Sequence, residues 1–554
     1  MGTPLRARWL GSVPYREALA LQEGLFKNGS EQHLLLLTHP HVFTHGPSAD
    51  LGANLRCSPS DVGADLIAVN RGGDITYHGP GQLVAYPIVN VAGKSGAANG
   101  PADSVAHVCA VEQVVIDTLA ELGLDNAGRL DGFPGVWLDP DTDRARKICA
   151  IGVRVSRGRS MHGLALNVST DLTYMREHIV PCGIGDRPVT SLAEEGIDVD
   201  MATVVDVLVR VAAKRWADGS VERQDVAWKH RPEDLSPFSR GMGAGARVRT
   251  RLEAAGVREG HSIEDRKPEW LRPKVVHGPE VLRLKRELSG LGLVTVCEEA
   301  GCPNLSECWS QGTATIMVLG ERCTRACGFC LVDTRKPLEP ELDEPQRVLR
   351  AVRSMNLEHV VLTMVARDDL DDDGMGHVAR CVTTIREAEP STRIETLISD
   401  CRGSVSLDLL LASAPDVMNH NIETVPRLQR AVRPSAGYAR SLSVLARSKS
   451  AGLITKSGII VGMGETDTEI EGVLADLASV GVDIVTIGQY LRPTSNHLPV
   501  HRWVEPSLFE HFAAFGHALG IRHVESSPLT RSSYHARDAA EAALPVTVSF
   551  GGRR

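Results

Sequence analysis

No stretch of this 554-residue sequence approaches the roughly 18 uncharged apolar residues of a membrane-spanning helix, so no contact with a bilayer is expected. Met1 to Val13 carries two arginines and lacks an apolar run long enough for a secretory signal, and Arg6 breaks the myristoylation pattern that Gly2 would begin. Positive charge is not in excess either. A net charge of −9 and a pI near 6.1 argue against a nucleic-acid binder and fit a chain that meets other proteins. These absences point to a cytoplasmic protein. What is present, 42% hydrophobic and 23% charged residues, suits a chain globular almost throughout, and its length calls for two to four domains.

Cysteine is the informative residue. Six of the twelve lie in two closely spaced triplets, Cys297, Cys302 and Cys308 in C-x4-C-x5-C, then Cys323, Cys327 and Cys330 in C-x3-C-x2-C. In a reducing compartment such spacing means metal or catalysis rather than disulfides. Neither triplet has a fourth cysteine. Three thiolates hold three irons of a [4Fe–4S] cluster and leave the fourth open or bound to an unusual ligand. Zinc is the plainer alternative, but four-cysteine zinc sites pair their ligands two and two. Cys57, Cys109, Cys149, Cys381 and Cys401 belong to no motif and read as core or surface residues.

The chain divides once. Residues 1–235 mix strand-like runs, such as His33 to Leu37 and Lys147 to Val155, with helices such as Ala102 to Leu122, where Val105, Val108, Val115, Leu119 and Leu122 share a face. Residues 236–261, rich in glycine and arginine around Gly241-Met242-Gly243-Ala244-Gly245, read as a flexible linker. Within 262–554, strands are expected at Thr315–Gly320, His359–Val365, Arg393–Ile398, Asp416–Ile422, Thr455–Val461 and Asp483–Tyr490. Helices fall between them at Pro345–Met355, His377–Glu387, Leu442–Ser450 and Glu469–Val480. Six βα units imply a (β/α)6 partial TIM barrel. Chemistry in such barrels sits at the carboxyl ends of the strands, and Cys323 follows the first strand closely.

Cys323-Thr-Arg-Ala-Cys327-Gly-Phe-Cys330 resembles the cluster loop of radical S-adenosylmethionine enzymes. Cys297-Glu-Glu-Ala-Gly-Cys302-Pro-Asn-Leu-Ser-Glu-Cys308 upstream and Arg531-Ser-Ser-Tyr534 downstream narrow the resemblance to lipoyl synthases over about 265 to 540. Asn419-His-Asn-Ile-Glu-Thr-Val425, Lys456-Ser-Gly458, Gly462-Met-Gly-Glu-Thr466 and Gly488-Gln-Tyr-Leu-Arg-Pro493 fit the same family in order. The resemblance implies two [4Fe–4S] clusters. The one on Cys323, Cys327 and Cys330 would bind S-adenosyl-L-methionine and, on receiving an electron, release a 5′-deoxyadenosyl radical. The auxiliary one, on Cys297, Cys302 and Cys308, would be completed by Ser533, a hard oxygen ligand that fits iron–sulfur chemistry poorly and marks a labile corner. Gly462 and Gly464 allow close backbone approach to a ligand, and Glu465 is a candidate contact for the methionine amino group. Arg367-Asp368-Asp369 and His420 also fit ordinary surface charges and a satisfied core histidine.

The N-terminal half carries a second set of motifs. Arg71-Gly72-Gly73-Asp74-Ile75-Thr76-Tyr77-His78-Gly-Pro-Gly-Gln82 is glycine-rich and polar. Phe133-Pro-Gly-Val-Trp137, Lys147-Ile-Cys-Ala150-Ile151-Gly152-Val-Arg154, His162-Gly163-Leu164-Ala165-Leu-Asn167 and Pro181-Cys182-Gly-Ile184 follow. Together these resemble the lipoate-specific octanoyltransferases, relatives of biotin and lipoate ligases, over about 5 to 230. The implied fold is a mixed sheet with helices on one side. The implied roles are Cys182 as nucleophile, Lys147 as its base, and Arg71 to His78, Ala150 to Gly152 and Gly163 to Ala165 as the substrate pocket, with His162 beside it. Strand alternation puts Lys147 on one face with Cys149, Ile151 and Val153, and apolar neighbours there weaken its preference for charge. His33, His39, His41 and His45 match no metal site of that family.

The two resemblances point to a fusion of consecutive lipoate-assembly enzymes. Expected partners are octanoyl-acyl carrier protein, the lipoyl domains of 2-oxoacid dehydrogenase subunits, the glycine cleavage H protein and a low-potential donor of ferredoxin or flavodoxin type. An iron–sulfur scaffold or sulfur carrier, and a radical enzyme for another acyl substrate, are the alternatives.

Overall fold

The computed structural model describes residues 4–93, 102–184, 187–223, 225, 251–257, 260–272, 286–288, 290–295, 304, 313–401 and 404–544. Cys297, Cys302 and Cys308 fall outside this set. The chain forms two compact units, Met1–Arg231 and Pro232–Arg554.

The first unit is built on an eight-stranded mixed sheet. In spatial order its strands are Val221–Arg223, Leu5–Ser12, His33–Thr38, Gln82–Ile88, Arg159–Asn167, Arg146–Ser156, Phe133–Leu138 and Ala127–Leu130. Leu5–Ser12 runs parallel to both its neighbours; the remaining pairs are antiparallel. A satellite sheet holds Asp65–Ala68, Val42–His45 and Thr76–His78. Helices Ser104–Glu121 and Met201–Trp216 pack on one face through Val111, Val115, Leu119, Val205 and Leu208 against Leu34, Leu36, Leu83 and Ala85. The helix Tyr15–Asn28 instead meets the opposite face. Tyr86, which alternates with Ala85, interacts with Tyr15, and Gln22 accepts a hydrogen bond from the His162 N–H at 2.9 Å. Helices therefore lie on both sides, not on one. The apolar face expected for the first long helix is also rotated. Asp103 caps it by accepting from Ala106 N, and the turn so fixed leaves Val105 73% exposed while Val111 and Val114 are buried.

The second unit carries seven parallel strands: Thr313–Val318, His359–Met364, Arg393–Leu397, Val417–Asn419, Ile454–Val461, Ile484–Gln489 and His523–Ser526. The short Val294–Thr295 lies antiparallel at the first edge. Helices between consecutive strands bury apolar residues such as Val348, Val382, Leu407 and Val444 against the sheet. The six expected strands are present. The seventh, His523–Ser526, is four residues long, largely half-buried and contains a histidine and a glutamate, so it carries no periodic apolar signal.

Part of the expected linker is packed rather than free. Val257 is buried with its side chain against Gly464, the Ala255 carbonyl accepts from Arg427, and His261 N donates to Val500 O at 2.6 Å. Leu252 and Val257 are the apolar residues that make this stretch dock.

Candidate active sites

A cavity of about 500 Å³ opens in the first unit. Arg71, Gly72, Gly73, Thr76 and His78 line it from the glycine-rich loop and the strand after it. Lys147, Ala150, Ile151 and Gly152 line it from one sheet strand, and His162, Gly163, Leu164 and Ala165 from the next. Three residues of the octapeptide do not. In the strand Thr76–His78 successive side chains face opposite ways, so Tyr77 turns out to meet His41 and Tyr174, and Ile75 is buried among Phe43 and Leu172. Asp74 accepts from Asn54 Nδ2 at 2.8 Å and from the Ile75 N–H, holding the loop closed. Tyr15, Val84, Tyr86, Val108, Phe133 and Pro134 complete the wall and were not assigned from sequence. Val84 and Tyr86, two apart on the strand following the loop, were the signal available.

Burial holds the tyrosine and histidines beside this cavity in their neutral forms. Burial pushes Tyr15 up to about 12 and His162 down to about 4, and it takes His78 well below its ordinary value. His39, also lowered by burial to about 4, contacts the Val13 carbonyl at 2.6 Å and the Tyr86 hydroxyl at 2.8 Å. Arg71 brings a guanidinium charge to the wall. It stays anchored by donating to the carbonyl and hydroxyl of Thr44 at 2.7 and 3.0 Å.

Lys147 sits 94% buried with its ammonium 4.9 Å from the centre of the Trp137 ring. It does not share a face with Cys149. The register pairs Trp137 with Lys147 but Val136 with Cys149, so a bulge inserts one residue between them. Cys149 consequently joins the core under the helices while Lys147 lines the cavity. The N–H of Lys147 donates to Pro188 O and its carbonyl accepts from Thr190 N, both at 2.9 Å. Those bonds stitch the segment leaving the turn Pro181–Gly183, with Cys182 at its centre, onto the strand that carries Lys147.

Gly135 makes room for this lysine. Its φ is +127°, and a Cβ there would stand 2.6 Å from the Cys149 carbonyl oxygen and 3.0 Å from Lys147 Cε. Gly135→Ala is expected to cost about 1–3 kcal/mol of stability and to displace Lys147. Thermal unfolding and acyl transfer measured on the same variant should both fall; unchanged transfer would show that the lysine is not held through Gly135.

In the second unit the C-x3-C-x2-C loop lies past the carboxyl end of Thr313–Val318. Cys323 N donates to Asp333 O at 2.8 Å, Thr324 N to Ala366 O at 3.0 Å and Gly328 N to Val432 O at 2.8 Å. Arg325 locks the loop to two neighbouring strand ends. It pairs with both carboxylate oxygens of Asp368, beyond His359–Met364, and with Asp400, beyond Arg393–Leu397. Asp368 is therefore a half-buried member of a clamp, and Arg367, 2% exposed, pairs with Asp369, which is the exposed charge of the three. His420 is the satisfied core histidine, between the Ile398 carbonyl and the Ser441 hydroxyl, each at 2.9 Å.

Burial raises all three thiols, Cys327 to about 11 and Cys330 to about 12, while Arg433 beside Cys327 favours its thiolate. Half-buried thiols grouped on one loop with two guanidinium groups nearby suit a cluster whose irons require thiolates. Among the described residues no three side chains converge on a single metal ion, which a cluster with a separate iron for each thiolate does not need.

Ser533 is half-buried. Its neighbour Ser532 accepts from Asn421 Nδ2 at 2.6 Å. Asn304 donates to Leu529 O at 2.8 Å, two residues before the Arg531-Ser-Ser-Tyr534 turn. The glycines and the glutamate expected to meet S-adenosylmethionine also have close neighbours within the protein. A Cβ at Gly462 would strike Gln489 and the Arg502 carbonyl, and one at Gly464 would strike Val257, so both glycines serve approach by protein. Glu465 is buried and accepts from the N–H groups of Gly462 and Met463, closing its own turn.

Three family models match the chain: the lipoyl protein ligase A/B catalytic domain at residues 14–213, the N-terminal domain of lipoyl synthase at 216–302 and the radical S-adenosylmethionine superfamily at 317–477. The second spans the stretch read as a linker. A lipoyl synthase of Chlorobium limicola is 52% identical over 276 residues, 49% of this chain and 94% of that protein. One of Mycobacterium tuberculosis is 48% identical over 287 residues, 52% and 92%. Among solved structures, a bi-partite lipoate protein ligase of Thermoplasma acidophilum aligns over 41% of this chain and 88% of its own, at 18% identity and a TM-score of 0.34. The maturase HydG of Carboxydothermus hydrogenoformans aligns over 54% and 73%, at 16% identity and 0.34.

Proposed function

Because the chain belongs to the lipoyl synthase family through its C-terminal half and carries a lipoyl protein ligase A/B catalytic domain ahead of it, we propose that it performs two consecutive steps of lipoate biosynthesis. In the first, Cys182 attacks the thioester of octanoyl-acyl carrier protein. Lys147 takes the thiol proton and returns it to the departing carrier thiolate, so the octanoyl group passes to Cys182 as a new thioester. The lysine amine of a lipoyl domain then displaces Cys182, and Lys147 moves the amine proton to the leaving thiolate. The observation that carries this reading is the 94% buried Lys147 on the wall of a 500 Å³ cavity, tied by its own backbone to the segment leaving the Cys182 turn.

In the second step one hydrogen would be removed from each of carbons 6 and 8 of the bound octanoyl chain, and sulfide given up by the auxiliary cluster would bond to each carbon in its place, the odd electron passing to the cluster irons. Cys323, Cys327 and Cys330 would hold one [4Fe–4S] cluster, and Cys297, Cys302, Cys308 and Ser533 a second. S-adenosylmethionine held at the first would supply the radical chemistry for hydrogen removal, with the electron coming from a low-potential ferredoxin or flavodoxin. Arg325 fixes the loop for that task by spanning Asp368 and Asp400. The test is mass spectrometry of a lipoyl-domain lysine after anaerobic incubation with octanoyl-acyl carrier protein, S-adenosylmethionine and reductant. The expected result is octanoylation followed by gain of two sulfurs; octanoyl without sulfur would dismiss the second step, and an unmodified lysine the first.

A further inference from the structure

We propose that a second recess beside the Cys182 turn holds the phosphate of the phosphopantetheine arm that delivers the acyl group. The inference rests on the acyl-transfer reading above. This recess, about 260 Å³, is lined by the three arginines Arg56, Arg176 and Arg187, with Met175, Val180 and Pro181 among its apolar walls. The turn Pro181–Gly183 stands between the two spaces. Pro181 borders the small recess, Gly183 borders the large cavity, and Ile184 borders both.

A thioester carries long groups on both sides of its carbonyl carbon. When a nucleophile on the turn attacks that carbon, the acyl chain and the departing thiol arm must lie on opposite sides. Two recesses flanking one turn answer that demand. The larger, with Val84, Ile151, Val153 and Leu164 on its wall, suits the octanoyl chain. The smaller suits an arm that ends in apolar gem-dimethyl carbons and a phosphodiester, because guanidinium groups match phosphate oxygens in paired hydrogen bonds.

The charges favour an incoming anion. Arg176 is already bidentate with Glu194 at 2.6 and 2.9 Å. Arg56 and Arg187 form no ion pair among the described residues, and the buried Nε of Arg187 has no hydrogen-bond partner there. Arg56 is placed by backbone pairing: its N–H donates to His178 O at 2.9 Å, and Leu55 bridges Ile179. Arg187 stacks its guanidinium 5.4 Å from the centre of the Phe133 ring, which lines the large cavity, so it is set between the two spaces.

The experiment follows acylation of Cys182 by intact-protein mass spectrometry in the full chain. The donors are octanoyl-acyl carrier protein, octanoyl-coenzyme A, octanoyl-phosphopantetheine and octanoyl-pantetheine, the last lacking phosphate. The native protein should prefer octanoyl-phosphopantetheine over octanoyl-pantetheine by about tenfold or more in kcat/KM. Arg56→Ala, and Arg56→Glu more strongly, should shrink that preference toward unity while leaving the octanoyl-pantetheine rate unchanged. Arg56 is exposed, so folding is not at stake; Arg187→Lys, which keeps charge but loses the planar fork, should lose part of the preference. Equal loss on both small donors, or none on either, would overturn the proposal. So would a loss confined to the carrier protein, which would place the arginines against the carrier's acidic surface, or a loss only in transfer to the lipoyl domain. No acylation of Cys182 from any donor would instead bring down the parent reading, and this one with it.

Discussion

Cys182→Ser is expected to lower octanoyl transfer at least about a thousand-fold while leaving sulfur insertion into an already octanoylated lipoyl domain at its native rate. A thiol ionises near 8.5, within reach of a lysine amine, whereas a serine hydroxyl lies far above it, so Lys147 can activate the first and not the second. Lys147→Met should produce a comparable loss, because its methylenes would still pack on Trp137 while the proton carrier is gone. The two variants should also differ in kind. Lys147→Met, with the thiol intact, should acylate slowly and let the acyl-enzyme be trapped; Cys182→Ser should show none. Normal transfer by Cys182→Ser would remove Cys182 from the chemistry altogether.

The second large effect separates the cysteine triplets. Alanine at Cys323, Cys327 or Cys330 should stop formation of 5′-deoxyadenosine. Alanine at Cys297, Cys302 or Cys308 should leave that cleavage in place, block sulfur insertion, and lower the iron bound by the anaerobically reconstituted protein by about half. Ser533→Ala should behave as the auxiliary set does. Ser532→Ala should be milder, since Ser532 accepts a hydrogen bond from Asn421 whose loss is worth about 1 kcal/mol. Equal loss of cofactor cleavage in both triplets would show that the roles are wrongly divided. Asn304 donates to Leu529 O, so Asn304→Ala should loosen residue 304 from the chain leading to Ser533, seen as slower iron uptake.

C-x3-C-x2-C is legible in the sequence because its three cysteines lie on one loop, and Lys147 and Cys182 are legible because each stands in a family pattern. Gly462, Gly464 and Glu465 are also local, yet their neighbours are not. Val257, Gln489 and Arg502 approach from elsewhere in the unit, and the carboxylate of Glu465 is consumed by its own turn. A glycine records that something comes close; it does not record what.

By itself the sequence determined the two-part division and the parallel βα repeat, because apolar periodicity and motif spacing are written along the chain. Only the tertiary structure decided which side chains face a common space. The bulge between Lys147 and Cys149 reverses the alternation that would have paired them, and strand pleating sends Tyr77 away from the cavity that Thr76 and His78 line. The clamp of Arg325 on Asp368 and Asp400 joins three separate strand ends. In each case the partner is distant in sequence, and whether a polar group is buried and satisfied depends on what folding brings against it.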